Sequence, residues 1–269
     1  MLKATFQCFQ GIGGNSEQRL WESGCLCWQD FREASGSRLS ASRKNVMFEQ
    51  LKEAERSLET GSAAWFLERL RGASVLRVLY EFFADALFLD IETTGLDPFA
   101  KVTSIATWKN GQVKCFIRDI NLADFLYELP GTSLLVTYNG KHFDLPFLRR
   151  EFDSEMRIPH LDLMYPLRAM GHRGGLKNCE KRLGFQRRYS EGADGLEAVR
   201  LWRAWSVYNC EESLNRLIIY NIEDTYSLAW LTARAMREAM AGYPEEISMT
   251  EPPPPDINGA LAEVRIGAC

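Results

Sequence analysis

The sequence predicts an α/β protein: a mixed β-sheet flanked by helices, with an N-terminal helical extension in front of it. Three observations predict this. Between about residues 85 and 240, short apolar runs of strand length are interleaved with stretches of helical periodicity, the pattern of a sheet covered by helices. Two of those runs are joined by Lys109-Asn110-Gly111-Gln112, and Asn-Gly is a strong hairpin signal because both residues tolerate the positive φ of a tight turn. Ahead of them, from about residue 15 to 82, the periodicity is helical throughout.

In chain order, residues 1–82 form the extension, with short amphipathic pieces at Glu17 to Trp21 and Trp28 to Arg32 and longer ones at Lys44 to Leu58 and Ala63 to Leu70. Residues 83–242 form the main domain. Ala86-Leu87-Phe88-Leu89 fits a buried strand, and Val102 to Trp108 and Val113 to Ile117 flank the hairpin turn. Leu122 to Glu128 reads as a helix, with Asn121 as its N-cap and Pro130-Gly131 ending it. Ser133 to Tyr138 is a further apolar strand, a helix begins near Phe143, and a long helix runs from about Cys210 to Met240. Residues 243–269 form a Pro-rich C-terminal tail, where Glu251-Pro252-Pro253-Pro254-Pro255 opens a segment with little to bury; it reads as a flexible or loosely docked terminus.

Composition narrows the function classes. A chain of 269 residues, 46% hydrophobic and 25% charged, is ordinary for a soluble globular protein. No apolar run approaches the roughly 20 residues of a membrane helix, and the first residues lack the apolar core of a signal peptide. The expectation is a cytoplasmic protein with no membrane contact. Seven scattered cysteines, an odd number, argue against a disulfide framework, and Cys25 and Cys27 have no second pair or nearby His to complete a zinc site. A net charge of −4 argues against indiscriminate coating of nucleic acid. Yet the middle of the chain is basic through Arg149, Arg150, Arg157, Arg168, Arg173, Lys177, Lys181, Arg182, Arg187 and Arg188, either a phosphate-tracking face or solvated helix surface.

Three groups of residues carry chemistry. Phe88-Leu89-Asp90-Ile91-Glu92-Thr93-Thr94-Gly95-Leu96 runs an apolar strand into two acids spaced i, i+2, which point to one face of a strand. Paired acids at the end of a buried strand are costly unless something offsets their desolvation, and a divalent cation does so. Thr93-Thr94-Gly95 then lets the backbone turn tightly and approach a ligand. The second group is Val136-Thr137-Tyr138-Asn139-Gly140-Lys141-His142-Phe143-Asp144, where an acid opens a helix; Asp144 is either a metal ligand or an acid favoured by a helix N-terminus. The third is Tyr220-Asn221-Ile222-Glu223-Asp224, in which the phenol and the last carboxylate share a helix face at i, i+4 and Glu223 lies off it.

In this order and spacing the three groups resemble the DEDD superfamily of exonucleases, which are DnaQ-like with a ribonuclease H-like fold. Tyr220, four residues before Asp224, matches the Tyr subtype (DEDDy), whereas the His subtype would want histidine at position 219, which is Ile219. Within the superfamily the chain looks closest to the YprB-like family, on His160-Leu161-Asp162-Leu163-Met164-Tyr165-Pro166-Leu167-Arg168, on Gly175 to Gly184, on Gly195 to Trp202, and on Phe9 to Gly13 with Glu17 to Trp21. The resemblance implies that residues 83–242 are a ribonuclease H-like exonuclease domain. Its activity would be metal-dependent 3′→5′ hydrolysis of phosphodiester bonds in single-stranded nucleic acid or at 3′ ends, with DNA favoured over RNA. It further implies two Mg²⁺ or Mn²⁺ ions about 4 Å apart. Asp90, Glu92 and Asp224 would hold one of them, and Asp90 would bridge to a second near Asp144. Tyr220 would orient the attacking water. Thr93, Thr94, Gly95 and Leu96 would seat the terminal nucleotide, and Asn139 and Phe143 would shape the substrate cleft. A non-catalytic nucleic-acid-binding module, or a structure-specific endonuclease, is the alternative on the same fold.

Weaker signals stay open. Gly11-Ile12-Gly13 before an amphipathic piece looks like half of a helix-hairpin-helix over 9–30. Asp162 is either an acid behind the site or a structural one. His142, His160 and His172 are too dispersed for a triad, and Trp202, Trp205 and Trp230 read as core.

Overall fold

The computed structural model describes residues 1–33, 41–154, 156–190, 195–244 and 249–266. After a 3₁₀ turn at Leu2–Ala4 come α1 (Gly14–Glu22), α2 (Trp28–Glu33), α3 (Ala41–Glu59), α4 (Ala64–Arg69) and α5 (Leu76–Phe82). The sheet is then laid down by β1 (Ala86–Thr93), β2 (Val102–Lys109), β3 (Gln112–Ile117), β4 (Leu134–Thr137) and β5 (His160–Asp162), with α6 (Asp144–Phe152) between β4 and β5. Helices follow as α7 (Met164–Ala169), α8 (Leu176–Leu183), α9 (Gly195–Tyr208), α10 (Glu211–Ala239) and α11 (Ile257–Ile266).

The five strands lie in the order β3-β2-β1-β4-β5. β1, β2 and β3 are antiparallel neighbours, while β1, β4 and β5 run parallel, so the sheet is mixed. Asn110 and Gly111 take φ of 47° and 83°, the pair of positive values that the Asn-Gly signal anticipates. Strand parity sorts the core. Ala86 and Phe88 of β1, with Ala106 and Trp108 of β2, face α10 and the N-terminal helices. Leu87, Leu89 and Ile91, with Ile105 and Phe116, face α6 and the 3₁₀ segment on the other side. Asp90 and Glu92 therefore extend the Phe88 face toward α10. A register shift between Glu92 and Thr93, after which Thr93 pairs with Val102, interrupts the β1–β2 ladder beside them, a common way to re-aim side chains next to a site.

α10 has 29 residues and spans about 43 Å. From Tyr220 to Ala229 every side chain is buried, because β1 and β2 cover one side of the helix and α5, α8 and α9 cover others. A central helix buried all round explains why its apolar stripe is broad rather than one-sided.

Two expectations are corrected. Leu122–Glu128 is a 3₁₀ helix, and Asn121 does not cap it. The Asn121 side chain instead accepts from the Ile117 N–H at 2.7 Å and donates to the Cys115 carbonyl at 3.3 Å, closing the turn after β3. The segment beyond Gly242 does have something to bury: α11 packs on β3 and α10 through Ile257, Ala260 and Val264, one face at helical spacing. As expected, Asp90 and Glu92 both project from β1, which runs on to Thr93.

The N-terminal helices share the α10-side core rather than forming a separate one. Glu17 of α1 is 1% exposed and is held by bidentate contacts of 2.8 and 2.9 Å from Arg77 of α5. It also accepts the N–H groups of Phe6 and Gln7 at 2.6 and 3.1 Å.

Candidate active site

β1 and α10 bring Asp90, Glu92 and Asp224 together, with one carboxylate oxygen from each lying within 4.8 Å of the others. Tyr220 stands one helical turn before Asp224, as the i, i+4 spacing requires. Asp144 opens α6 and is 3% exposed. It lies outside the tight group of three, yet its charge is among those raising Asp90 and Glu92.

The electrostatics are those of an acid cluster short of counter-charge. Burial pushes Asp90 and Glu92 well above the usual carboxylate range, and the charges of Asp224 and Asp144 push them further. Both residues are half-buried. Burial raises Asp144 to about 7, against the pull of backbone hydrogen bonds. Asp224 is raised by burial, although Arg187 and Lys177 draw it down. The Tyr220 phenol is raised by burial and then by Asp224, Glu92 and Asp90, so it stays protonated.

Four residues that the spacing did not single out complete the site. Arg187 is gripped by Glu180 of α8 through bonds of 2.8 and 2.7 Å from Nε and Nη2, and the same Nη2 pairs with Asp224 while Nη1 donates to the Ser190 hydroxyl at 3.1 Å. That guanidinium lies against Asp224 Oδ1 off the hydrogen-bonding direction, so the buried oxygen has no hydrogen-bond partner among the described residues. Asn221, fully buried, donates to Asp90 Oδ2 at 2.8 Å and accepts from the Ser104 hydroxyl at 2.9 Å, fixing the rotamer of Asp90. Lys177 donates to the Tyr220 oxygen at 3.4 Å, with its ammonium 5.0 Å from the ring centroid. Glu223 points away from the acids, accepting the Arg188, Tyr189 and Ser190 N–H groups at 2.6, 3.2 and 2.8 Å. It anchors the loop that delivers Arg187. Asn221 had a readable signal: a polar residue between Leu217 and Thr225 on a buried helix face. Arg187 had none, since its partners come from α8 and α10.

The expected substrate residues fall around the cluster. Thr94 closes the loop after β1, with its N–H on the Lys101 carbonyl at 2.9 Å and its hydroxyl accepting from Lys101 at 3.0 Å. The Thr93 hydroxyl bonds the Gly95 carbonyl at 2.7 Å. Threonine side chains thus hold this turn, and Gly95 has an ordinary negative-side backbone. Leu96 is 84% exposed. Asn139 has φ 60° and its N–H donates to Asp162 at 2.7 Å. Gly140 is required next to it, because a Cβ there would lie 2.1 Å from the Thr137 hydroxyl. The Phe143 ring packs on Phe147 with centroids 4.9 Å apart. Asp162 also accepts from Lys141 and Met164, which makes it the clamp of the 138–144 turn. His160 pairs with the Thr137 hydroxyl at 2.9 Å, and burial lowers it to about 4, so it is neutral and structural.

The donor set fits a hard divalent cation. All nearby ligand atoms are carboxylate oxygens, and they converge. Among the described residues no helix is long and apolar enough to cross a membrane.

The family B DNA polymerase from the hyperthermophilic archaeon Pyrobaculum calidifontis superposes with a TM-score of 0.43 at 16% identity, over 56% of this chain and 25% of that chain. The overlap is thus about a quarter of the polymerase. No curated protein matches the chain. A family model described as the RNase_H superfamily matches residues 87–236, from the second residue of β1 to the last turn of α10, and so contains all four acids and Tyr220. The chain belongs to the RNase_H superfamily.

Proposed function

We propose that the protein is a metal-dependent 3′→5′ exonuclease of the Tyr subtype, hydrolysing phosphodiester bonds of single-stranded nucleic acid. The observation that carries this is the convergence of Asp90, Glu92 and Asp224 within 4.8 Å on a ribonuclease H-like scaffold. Asp90, Glu92 and Asp224 would hold one Mg²⁺ or Mn²⁺, and Asp90 with Asp144 a second. Such ions, when bound, offset the negative charge that builds on the phosphoryl and leaving oxygens.

The chain's own residues do the rest. Asn221 fixes the carboxylate of Asp90. The Tyr220 phenol, kept protonated and backed by Lys177, orients the attacking water by hydrogen bonding without serving as a base. Leu96, exposed at the lip of the cleft, wedges against the terminal base while the backbone from Thr93 to Gly95 seats its sugar. Asn139 and Phe143 shape the opposite wall.

The test is a Mn²⁺-dependent digestion panel with 5′-labelled and 3′-labelled single strands of DNA and RNA. The 5′-labelled strands should shorten stepwise, and the 3′-labelled ones should release labelled mononucleotide at once. If neither nucleic acid is shortened, the proposal fails; digestion of a circular single strand would replace it with an endonuclease.

A further inference from the structure

The basic stretch from Arg149 to Arg188 is not one surface. Arg150 is spent on the carbonyls of Pro98 and Ala100, Arg182 on that of Gly171, and Arg187 on Glu180 and Asp224. Arg168 and Arg173 are different. Neither guanidinium makes an ion pair or hydrogen bond with any described residue, and both residues line one cavity of about 180 Å³. In a chain of net charge −4, that cavity has no acidic lining residue. Of the carboxylates beside it, Asp162 is occupied by three backbone N–H groups and Glu238 pairs with the lining His172 at 3.3 Å. Gly174 and Gly175 form part of its wall without side chains and leave it open.

The chain places the cavity beside the acid cluster on two sides. Tyr138 and Asn139 line it, and they lie just past the end of β4. The last β1–β4 pair is Phe88 with Val136, so Tyr138 stands two residues beyond it, as Asp90 does on β1. On the other side, Lys177 follows Gly175 by two residues and reaches the Tyr220 oxygen. A strand whose scissile phosphate lies at the acids therefore runs past unpaired guanidiniums on one flank.

We infer that the cavity between Arg168 and Arg173 is a subsite for a non-scissile backbone phosphate of the bound strand. The inference rests on the reading of the acids as a phosphodiester-cleaving site. Under 3′→5′ cleavage, every phosphate other than the scissile one lies on its 5′ side, so this subsite holds the strand upstream of the bond that is cut. Guanidinium forks suit phosphate oxygens, and a backbone phosphate is common to DNA and RNA.

The probe is fluorescein-labelled eight-nucleotide oligothymidylate, with octauridylate as the RNA arm. Binding is followed by anisotropy in EDTA between 50 and 200 mM salt. The double variant R168A/R173A should bind both about tenfold more weakly at the lowest salt. It should also flatten the slope of log affinity against log salt by about 0.7, the value of one phosphate contact on a single strand. R168K/R173K, which keeps the charges, should retain the wild-type slope. An unchanged slope in the alanine variant, or no salt-dependent binding by the wild type, would overturn the subsite. Because the measurement needs no cleavage, a protein that binds through this pair but shortens no strand with Mn²⁺ supports the subsite and retires the exonuclease reading alone.

Discussion

Asp224→Asn is expected to lower Mn²⁺-dependent cleavage by at least about a thousandfold while leaving the fold intact. Loss of one anionic ligand removes several kcal/mol of charge stabilisation, and about 1.4 kcal/mol corresponds to each tenfold in rate. The fold should not suffer, because Asp224 is the neighbour whose charge raises Asp90 and Glu92 most. Removing that charge relieves repulsion inside the metal-free cluster, and Arg187 keeps its bidentate grip on Glu180. Cleavage rates beside thermal melts by circular dichroism check both halves. Near-wild-type cleavage would show that the assignment of Asp224 is wrong.

Arg77→Met is expected to cost about 3–5 kcal/mol of unfolding free energy, the usual penalty for stranding one member of a buried ion pair. Glu17 would keep its charge at 1% exposure with only the Phe6 and Gln7 donors left. The same guanidinium also lies 4.9 Å from the centroid of the Tyr243 ring and 5.6 Å from that of Trp21, so those contacts go as well. Adding Glu17→Gln should recover part of the loss, since a neutral amide still accepts from the Phe6 N–H. Urea denaturation of the two variants measures this, and a cost below about 1 kcal/mol for Arg77→Met would contradict the pair's structural role.

How much of this was readable from the residues depends on the range of the interaction. Strand alternation and the Asn-Gly turn are local, and they placed Asp90 and Glu92 on one face beside a hairpin correctly. The i, i+4 relation of Tyr220 and Asp224 is also local, as is the 29-residue helix that carries them. Asn121 misled because its side chain had two local choices, a cap or a turn, and the backbone of β3 offered both a donor and an acceptor. The tail misled because four prolines hide the short apolar face of Ile257, Ala260 and Val264 behind them. Arg187 and Glu180 depend on contacts between α8, the loop after it and α10 that no spacing encodes, whereas Asn221 is marked by its place on a buried helix face. Glu223, adjacent to Asp224, serves the loop rather than the site, which only the direction of the helix face reveals.

The most direct test of the central claim, that these carboxylates hold a divalent metal, is calorimetric titration of the full chain with Mn²⁺ at pH 6 and pH 8. Asp144 is raised to about 7 and its neighbours lie above their usual range, so at pH 6 protons occupy oxygens that the metal needs. As pH rises through that value the carboxylates become free, and binding should tighten with release of protons to the buffer. Tighter Mn²⁺ binding at pH 8, with protons released, is the predicted result. No Mn²⁺ binding at pH 8, or equal affinity at both pH values with no proton released, would contradict the account.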